Sequence, residues 1–75
     1  MDGILLYDSA QNRFTVQNYE TSVRALHCGD CVTIQVKHDW VGTRVEKDSD
    51  DDLYGWYFVD VGRVASFVGY SVRVL

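Results

Sequence analysis

The 75-residue chain has no proline and no long apolar run. A membrane-spanning helix needs about 20 consecutive apolar residues, whereas the first apolar run, from Ile4 to Tyr7, is already ended by Asp8. The run is also too short, and its Asp2 flank too acidic, for a secretory signal peptide. We therefore expect a cytoplasmic protein that does not act at a membrane.

Positive charge is scarce as well. Seven Lys and Arg residues stand against eleven Asp and Glu residues, which gives a formal net charge of -4. Proteins that bind nucleic acid usually present a basic face to the phosphates, so we expect no direct nucleic-acid binding. An acidic surface suits a basic protein partner instead, because complementary charge attracts such a partner.

The chain lacks the motifs of common catalytic sites. It has no glycine-rich phosphate loop, and Ser66 and Ser71 lie in no nucleophile-elbow motif. Cys28 or Cys31 beside His27 could form a nucleophile and base, but no third group is evident to orient them. A domain this small also leaves little room for a concave pocket. We therefore predict that the protein is not an enzyme.

Alternating apolar and polar residues are the main feature that is present. The clearest example is Cys31 to Lys37, where Val32, Ile34 and Val36 would share one face of a strand. Similar patterns predict further strands at Gly3–Tyr7, Arg13–Gln17, Trp40–Lys47, Leu53–Val59 and Tyr70–Leu75.

Residues 1–75 are too few for more than one domain. Five to seven short antiparallel strands at this spacing predict an all-β fold. An SH3-like barrel is the first choice, because closure would hide the edge strands, and an OB-like barrel is the second.

The segment His27-Cys28-Gly29-Asp30-Cys31 contains a Cys-x-x-Cys spacing next to a histidine. Such a turn is half of a typical zinc site, because it directs two thiolates at one point. His27, Cys28 and Cys31 are therefore candidate ligands for Zn²⁺. Two alternatives remain open, a redox or disulfide role and ordinary structural cysteines in the turn and core.

An acidic run precedes an aromatic segment. The candidate partner-binding residues of the run are Asp48, Asp50, Asp51 and Asp52. One interpretation is a solvated hairpin tip; the other is an acidic prong that meets a basic groove and sets the association rate and specificity. Tyr54, Tyr57 and Trp40 are candidate anchors, since Tyr and Trp are enriched at interface hot spots.

Several motifs together resemble a known family. They are Leu26-His27-Cys28-Gly29-Asp30, the Trp40-Val41-Gly42-Thr43-Arg44-Val45-Glu46 segment, the acidic loop, Gly55-Trp56-Tyr57 and the end Tyr70-Ser71-Val72-Arg73-Val74. This arrangement is similar to a family of short uncharacterised domains of Gram-positive bacteria and their phages and plasmids. The resemblance implies a small β-barrel and a mobile-element context, with no assigned reaction.

These observations lead to two functional hypotheses. The first is an acidic phage or mobile-element inhibitor of a nucleic-acid-handling defence protein, specifically an anti-CRISPR protein that blocks DNA loading by a type II effector nuclease. The second is an SH3-like module that binds a peptide or single-stranded nucleic acid through an aromatic face. Zinc stabilisation is compatible with either hypothesis. We expect a monomer or weak dimer.

Overall fold

The computed structural model describes residues 1–75. Eight strands form in the order β1 (Asp2–Asp8), β2 (Arg13–Gln17), β3 (Val23–Ala25), β4 (Cys31–Val36), β5 (Asp39–Lys47), β6 (Trp56–Phe58), β7 (Gly62–Arg63) and β8 (Ser71–Val74). A short 3-10 helix, η1, covers Val64–Phe67. The structure contains no helix with the length and apolar character of a membrane span.

The strands form one antiparallel sheet in the order β3-β2-β1-β8-β4-β5-β6-β7. The first six residues of β5 pair with β4, and its last three pair with β6. The prediction of a small all-β domain of short antiparallel strands is confirmed. The sheet has eight strands instead of five to seven, and its end strands β3 and β7 do not pair, so hydrogen bonds do not close it into a barrel.

The core follows from the alternation along the strands. Val32 and Ile34 of β4 are buried as predicted, while Thr33 between them faces the other side of the sheet and is half-buried. Phe58 packs edge-to-face on Phe67 of η1, with ring centroids 5.9 Å apart. The buried apolar residues are Leu5, Phe14, Val16, Leu26, Val32, Ile34, Val45, Trp56, Phe58, Val64, Val72 and Val74.

The predicted strand Leu53–Val59 is the main local error. Only Trp56–Phe58 is a strand, and residues 53–55 form a turn. The Asp51 carboxylate accepts hydrogen bonds from the backbone N–H groups of Leu53 and Tyr54, at 2.8 and 2.7 Å. These local bonds compete with strand pairing, and they hold the chain in a turn until Trp56.

Candidate binding surfaces

The Leu26-His27-Cys28-Gly29-Asp30 motif forms a tight turn that leads into β4. The N–H of Asp30 donates to the carbonyl of His27 at 3.1 Å, and Gly29 has a φ of +90°. Gly29 N–H donates to the Val45 carbonyl, and Val45 N–H donates to the Asp30 carbonyl. Gly29 and Asp30 together therefore lie opposite the single residue Val45. This is a β-bulge that needs glycine at its first position. The glycine of the motif therefore has a structural role.

The candidate zinc ligands lie around this turn. His27, Cys28 and Cys31 are all exposed, and both thiols are free. His27 Nδ1 lies 3.8 Å from Asp30 Oδ2, and the same carboxylate accepts the His27 backbone N–H at 2.8 Å. No three His, Cys, Asp or Glu side chains are placed to hold a metal ion. The zinc prediction therefore has no support from this geometry.

Asp48, at the start of the acidic loop, pairs with Arg63. Both carboxylate oxygens accept from the two terminal nitrogens of the guanidinium, each at 2.8 Å. These hydrogen bonds, together with the positive charge of Arg63, hold the pKa of Asp48 below its ordinary value. The same hydrogen bonds and the negative charge of Asp48 raise the pKa of Arg63 above its ordinary value. The Arg63 guanidinium also lies over the ring of Tyr57, 5.6 Å from its centroid. The Asp48 carboxylate thus has an ion-pair partner within the fold.

Asp51 shapes the loop that it belongs to. Its hydrogen bonds from the backbone of Tyr54 and Leu53 lower its pKa, because they stabilise the charged carboxylate. Its carbonyl accepts from Gly55 N–H at 3.0 Å. A Cβ at Gly55 would lie 2.5 Å from that carbonyl oxygen and 2.7 Å from Ser49 Oγ. The tight approach of the two segments therefore requires glycine at position 55.

The other two candidate aspartates differ from each other. Asp52 pairs with Lys47 at 3.1 Å, and the Lys47 ammonium lies 5.1 Å from the centroid of the Trp56 ring. Asp50 is exposed and has neither a hydrogen bond nor an ion pair through its side chain. Three of the four candidate aspartates therefore stabilise the loop itself, and Asp50 is the one whose charge is directed only to solvent.

The three predicted aromatic anchors do not form one surface. Tyr54 is 63% exposed at the acidic loop, while Tyr57 is half-buried beside Arg63. Trp40 lies near the opposite end of β5, seven residues before Lys47. At ~3.3 Å per residue, that separation is about 23 Å along the strand. The structure thus separates Trp40 from the acidic loop with which the sequence had grouped it.

Trp40 instead lines a groove of about 500 Å³ on the outer face of the sheet. Strands β1, β2, β5 and β8 contribute to it, together with the connection after β2. Its lining includes Ile4, Leu6, Gln17, Tyr19, Trp40 and Arg73. We call this surface the outer groove.

An arginine forms the polar side of the outer groove. The Arg73 guanidinium lies over the Trp40 ring, with Cζ 4.0 Å from the ring centroid, and its Nε lies 3.3 Å from Asp2 Oδ2. Asp2 and Arg73 are the charged residues of the lining. The groove thus combines an apolar floor, two aromatic side chains and one fixed ion pair, and it brings together no nucleophile, base or metal-ligand set.

Sequence reasoning did not identify Ile4, Leu6, Tyr19 or Arg73 as site residues. A signal for the first two is present, because Ile4-Leu5-Leu6 is apolar at three consecutive positions. Leu5 is fully buried, so its neighbours Ile4 and Leu6 must lie on the opposite face of the strand. Nothing in the one-dimensional pattern indicates that Arg73 reaches Trp40.

Comparison with protein families decides how the chain is classified. Residues 3–74 match the family described as "Domain of unknown function (DUF5348)". The chain belongs to the DUF5348 family. The predicted membership in a family of short uncharacterised β domains is confirmed at that level.

The DUF5348 chain is also similar to a protein of known structure. A crystal structure of a protein from Ruminococcus gnavus is 36% identical to it, with a TM-score of 0.74. The alignment covers 97% of this chain and 99% of that one, so the two share one architecture over their lengths. No curated protein matches the chain significantly.

Proposed function

We propose that this DUF5348 chain is a non-enzymatic binding domain that holds an extended peptide segment of a protein partner in the outer groove. The observation that carries the proposal is the exposed Trp40–Arg73 stack beside Ile4, Leu6 and Tyr19. Trp, Tyr and Arg are the residues most enriched at interface hot spots. Here all three types line one groove on a hydrogen-bonded sheet.

The arrangement is preorganised for binding. Arg73 is held by Trp40 on one side and by Asp2 on another, so its side chain loses little freedom when a partner docks. Trp40 and Arg73 are in strands, whereas Tyr19 follows β2 and is fully exposed. A partner would bury Tyr19 against the groove, where it contributes large contact area at small entropic cost.

The charge of the groove favours a peptide over a nucleic acid. Its lining contains one arginine, and Asp2 lies 3.3 Å from that arginine. A strand of nucleic acid would bring several phosphates to a surface without surplus positive charge, on a protein of net charge -4. An extended segment with uncharged apolar side chains matches the apolar floor and leaves the ion pair in place.

Selection from a random peptide library displayed on phage tests this proposal. Selected peptides should bind with an affinity that Trp40→Ala lowers at least tenfold, about 1.4 kcal/mol, while Tyr54→Ala at the acidic loop leaves it unchanged. Amide chemical-shift changes should map to β1, β8 and the start of β5. Binding that is indifferent to Trp40→Ala, or that maps to residues 48–55, would refute the proposal. Oligonucleotide binding lost in Trp40→Ala would favour the nucleic-acid alternative.

A second candidate function rests on the acidic loop. Asp50 has no partner within the fold and Tyr54 is 63% exposed beside it, so together they could contact a basic surface. On this proposal the protein is an inhibitor from a phage or mobile element that docks on a basic, nucleic-acid-handling defence protein. Its most specific form is an anti-CRISPR protein that keeps DNA from a type II effector nuclease.

A cleavage assay tests the second candidate. A guide-loaded type II CRISPR nuclease is incubated with the protein before target DNA is added. Inhibition near a stoichiometric ratio, weakened by the double variant Asp50→Asn/Tyr54→Ala and retained in Trp40→Ala, would support the inhibitor. Full cleavage across several such nucleases would remove the anti-CRISPR form. Inhibition that depends on Trp40 would assign the activity to the outer groove.

A further inference from the structure

The two cysteines are chemically available, and neither proposed binding surface uses them. Cys28 and Cys31 are both free and exposed. Cysteine is among the residue types most often buried, so two exposed thiols in a 75-residue domain require a reason. Neither sulfur belongs to the core or to a hydrogen bond that holds the turn.

The backbone of the turn is fixed without the thiols. Its hydrogen bonds join Asp30 to His27 twice, through the backbone and through the Asp30 carboxylate, and join Gly29 and Asp30 to Val45. The bond from Asp30 N–H to the His27 carbonyl closes a four-residue turn whose end Cα atoms lie within about 7 Å. Cys28 is inside this turn and Cys31 directly follows it. The two cysteines are therefore three positions apart in the chain, one inside a preformed turn and one directly after it.

The space beside the turn is open. A Cβ built at Gly29 would meet no atom within 4 Å apart from those of its two chain neighbours. Because both cysteines are exposed as well, a small oxidant can reach each of them from solvent. The short separation of the two residues also makes ring closure favourable in entropy compared with a long loop.

We propose that Cys28 and Cys31 form a reversible intramolecular disulfide, which makes this turn a redox-sensitive site. With hydrogen peroxide as oxidant, one thiolate attacks a peroxide oxygen, the O–O bond breaks, and a sulfenic acid and hydroxide form. The second thiolate then attacks the sulfenic sulfur and displaces a second hydroxide. The two thiol protons neutralise the hydroxides, so two thiols and one peroxide give one disulfide and two waters.

A direct test counts thiols after treatment with one equivalent of hydrogen peroxide. The wild-type protein should form no disulfide-linked dimer and should become lighter by two hydrogen atoms, with no maleimide-reactive thiol left. Dithiothreitol should restore the two thiols and the original mass. Peptide mapping should place the cross-link between Cys28 and Cys31. The variants Cys28→Ser and Cys31→Ser should retain the fold by circular dichroism, because the turn does not use the thiols. Each should form a sulfenic acid that dimedone traps, or a mixed disulfide with added glutathione.

Three results would overturn the proposal. The wild-type protein could retain two reactive thiols after oxidation, or it could form only disulfide-linked dimers. It could also accumulate sulfinic acid at one cysteine as readily as the single variants do, which would show that the second thiol does not reach the first. None of these readouts depends on peptide binding at the outer groove, so the two proposals can fail independently.

Discussion

The guanidinium of Arg73 stacks on the indole of Trp40, although β4 separates the two strands that carry them. Arg73 is opposite Thr33 of β4, and Trp40 is opposite Gln35 of the same strand. The two long side chains therefore cross the outer face of β4 diagonally and meet above it. This contact holds Trp40, 38% exposed, at the edge of the outer groove.

The two tryptophans should respond differently to truncation. Trp56 is buried in the core, so Trp56→Ala should lower the free energy of unfolding by about 3–5 kcal/mol. Trp40→Ala removes a partly exposed side chain and one cation–π contact, so it should cost only about 1 kcal/mol. Urea unfolding monitored by circular dichroism measures both values. Equal losses would contradict the placement of Trp40 as a partly exposed side chain outside the core.

Glycine 55 should not tolerate a side chain. Gly55→Ala places a Cβ 2.5 Å from a backbone oxygen of Asp51, so we expect a loss of more than about 1 kcal/mol in stability. Gly42→Ala is the matched control, because a Cβ in that strand meets nothing within 4 Å. Thermal unfolding should rank Gly42→Ala near or above the wild type and Gly55→Ala well below it.

Thr43 should stabilise the junction between β5 and the segment after β6. Its hydroxyl donates to the Val59 carbonyl at 2.7 Å. Thr43→Val removes this part-buried hydrogen bond and should cost about 1 kcal/mol. Thr33→Val on β4 is the control, because the Thr33 hydroxyl makes no hydrogen bond within the protein. If both variants unfold at the same urea concentration, the Thr43 bond does not stabilise the fold.

The stability of the protein should fall in acid partly through Asp48. Arg63 lowers the pKa of Asp48 in the folded state, so the unfolded chain takes up this proton at a higher pH. The ion pair therefore stabilises the fold above the unfolded pKa of about 4, and this stabilisation is lost as the pH falls through the lower folded value.

The variant Asp48→Asn isolates this contribution. The slope of melting temperature against pH below about pH 5 should become shallower than in the wild type. Asp50→Asn is the control, since Asp50 has no ion-pair partner, and its slope should match that of the wild type. An unchanged slope in Asp48→Asn would show that the pair with Arg63 does not contribute. Asp51 should retain part of the acid sensitivity in every variant, because backbone hydrogen bonds lower its pKa too.

Local pattern was enough to predict several elements. The strand Arg13–Gln17 has the predicted bounds, and Cys31–Val36 ends one residue before the predicted Lys37. Both segments alternate polar and apolar residues in sequence, which is typical of strands. The alternation does not predict that Thr15 of β2 is buried as well as Phe14 and Val16. The pattern misled at Leu53 to Gly55, because an aromatic, β-prone composition does not reveal that the Asp51 carboxylate will bind the next backbone groups.

The candidate site was less predictable than the fold. Trp40 was identified from its residue type alone, whereas its partner Arg73 is 33 positions later in the chain. The four aspartates were identified as one charged prong, yet Arg63 and Lys47 pair with two of them and the loop backbone binds a third. Charge counted along a chain does not show which charges are neutralised by contacts between distant residues.

By itself, the amino-acid sequence determined the all-β class, the acidic surface and the cysteine turn, because these depend on residue type and on spacing over a few positions. Only the tertiary structure decided that the sheet stays open, that Trp40 lies far from the acidic loop, and that Ile4, Leu6 and Arg73 form a groove with it. The physical reason is that strand order and register place residues from distant segments side by side, and no local pattern contains that information.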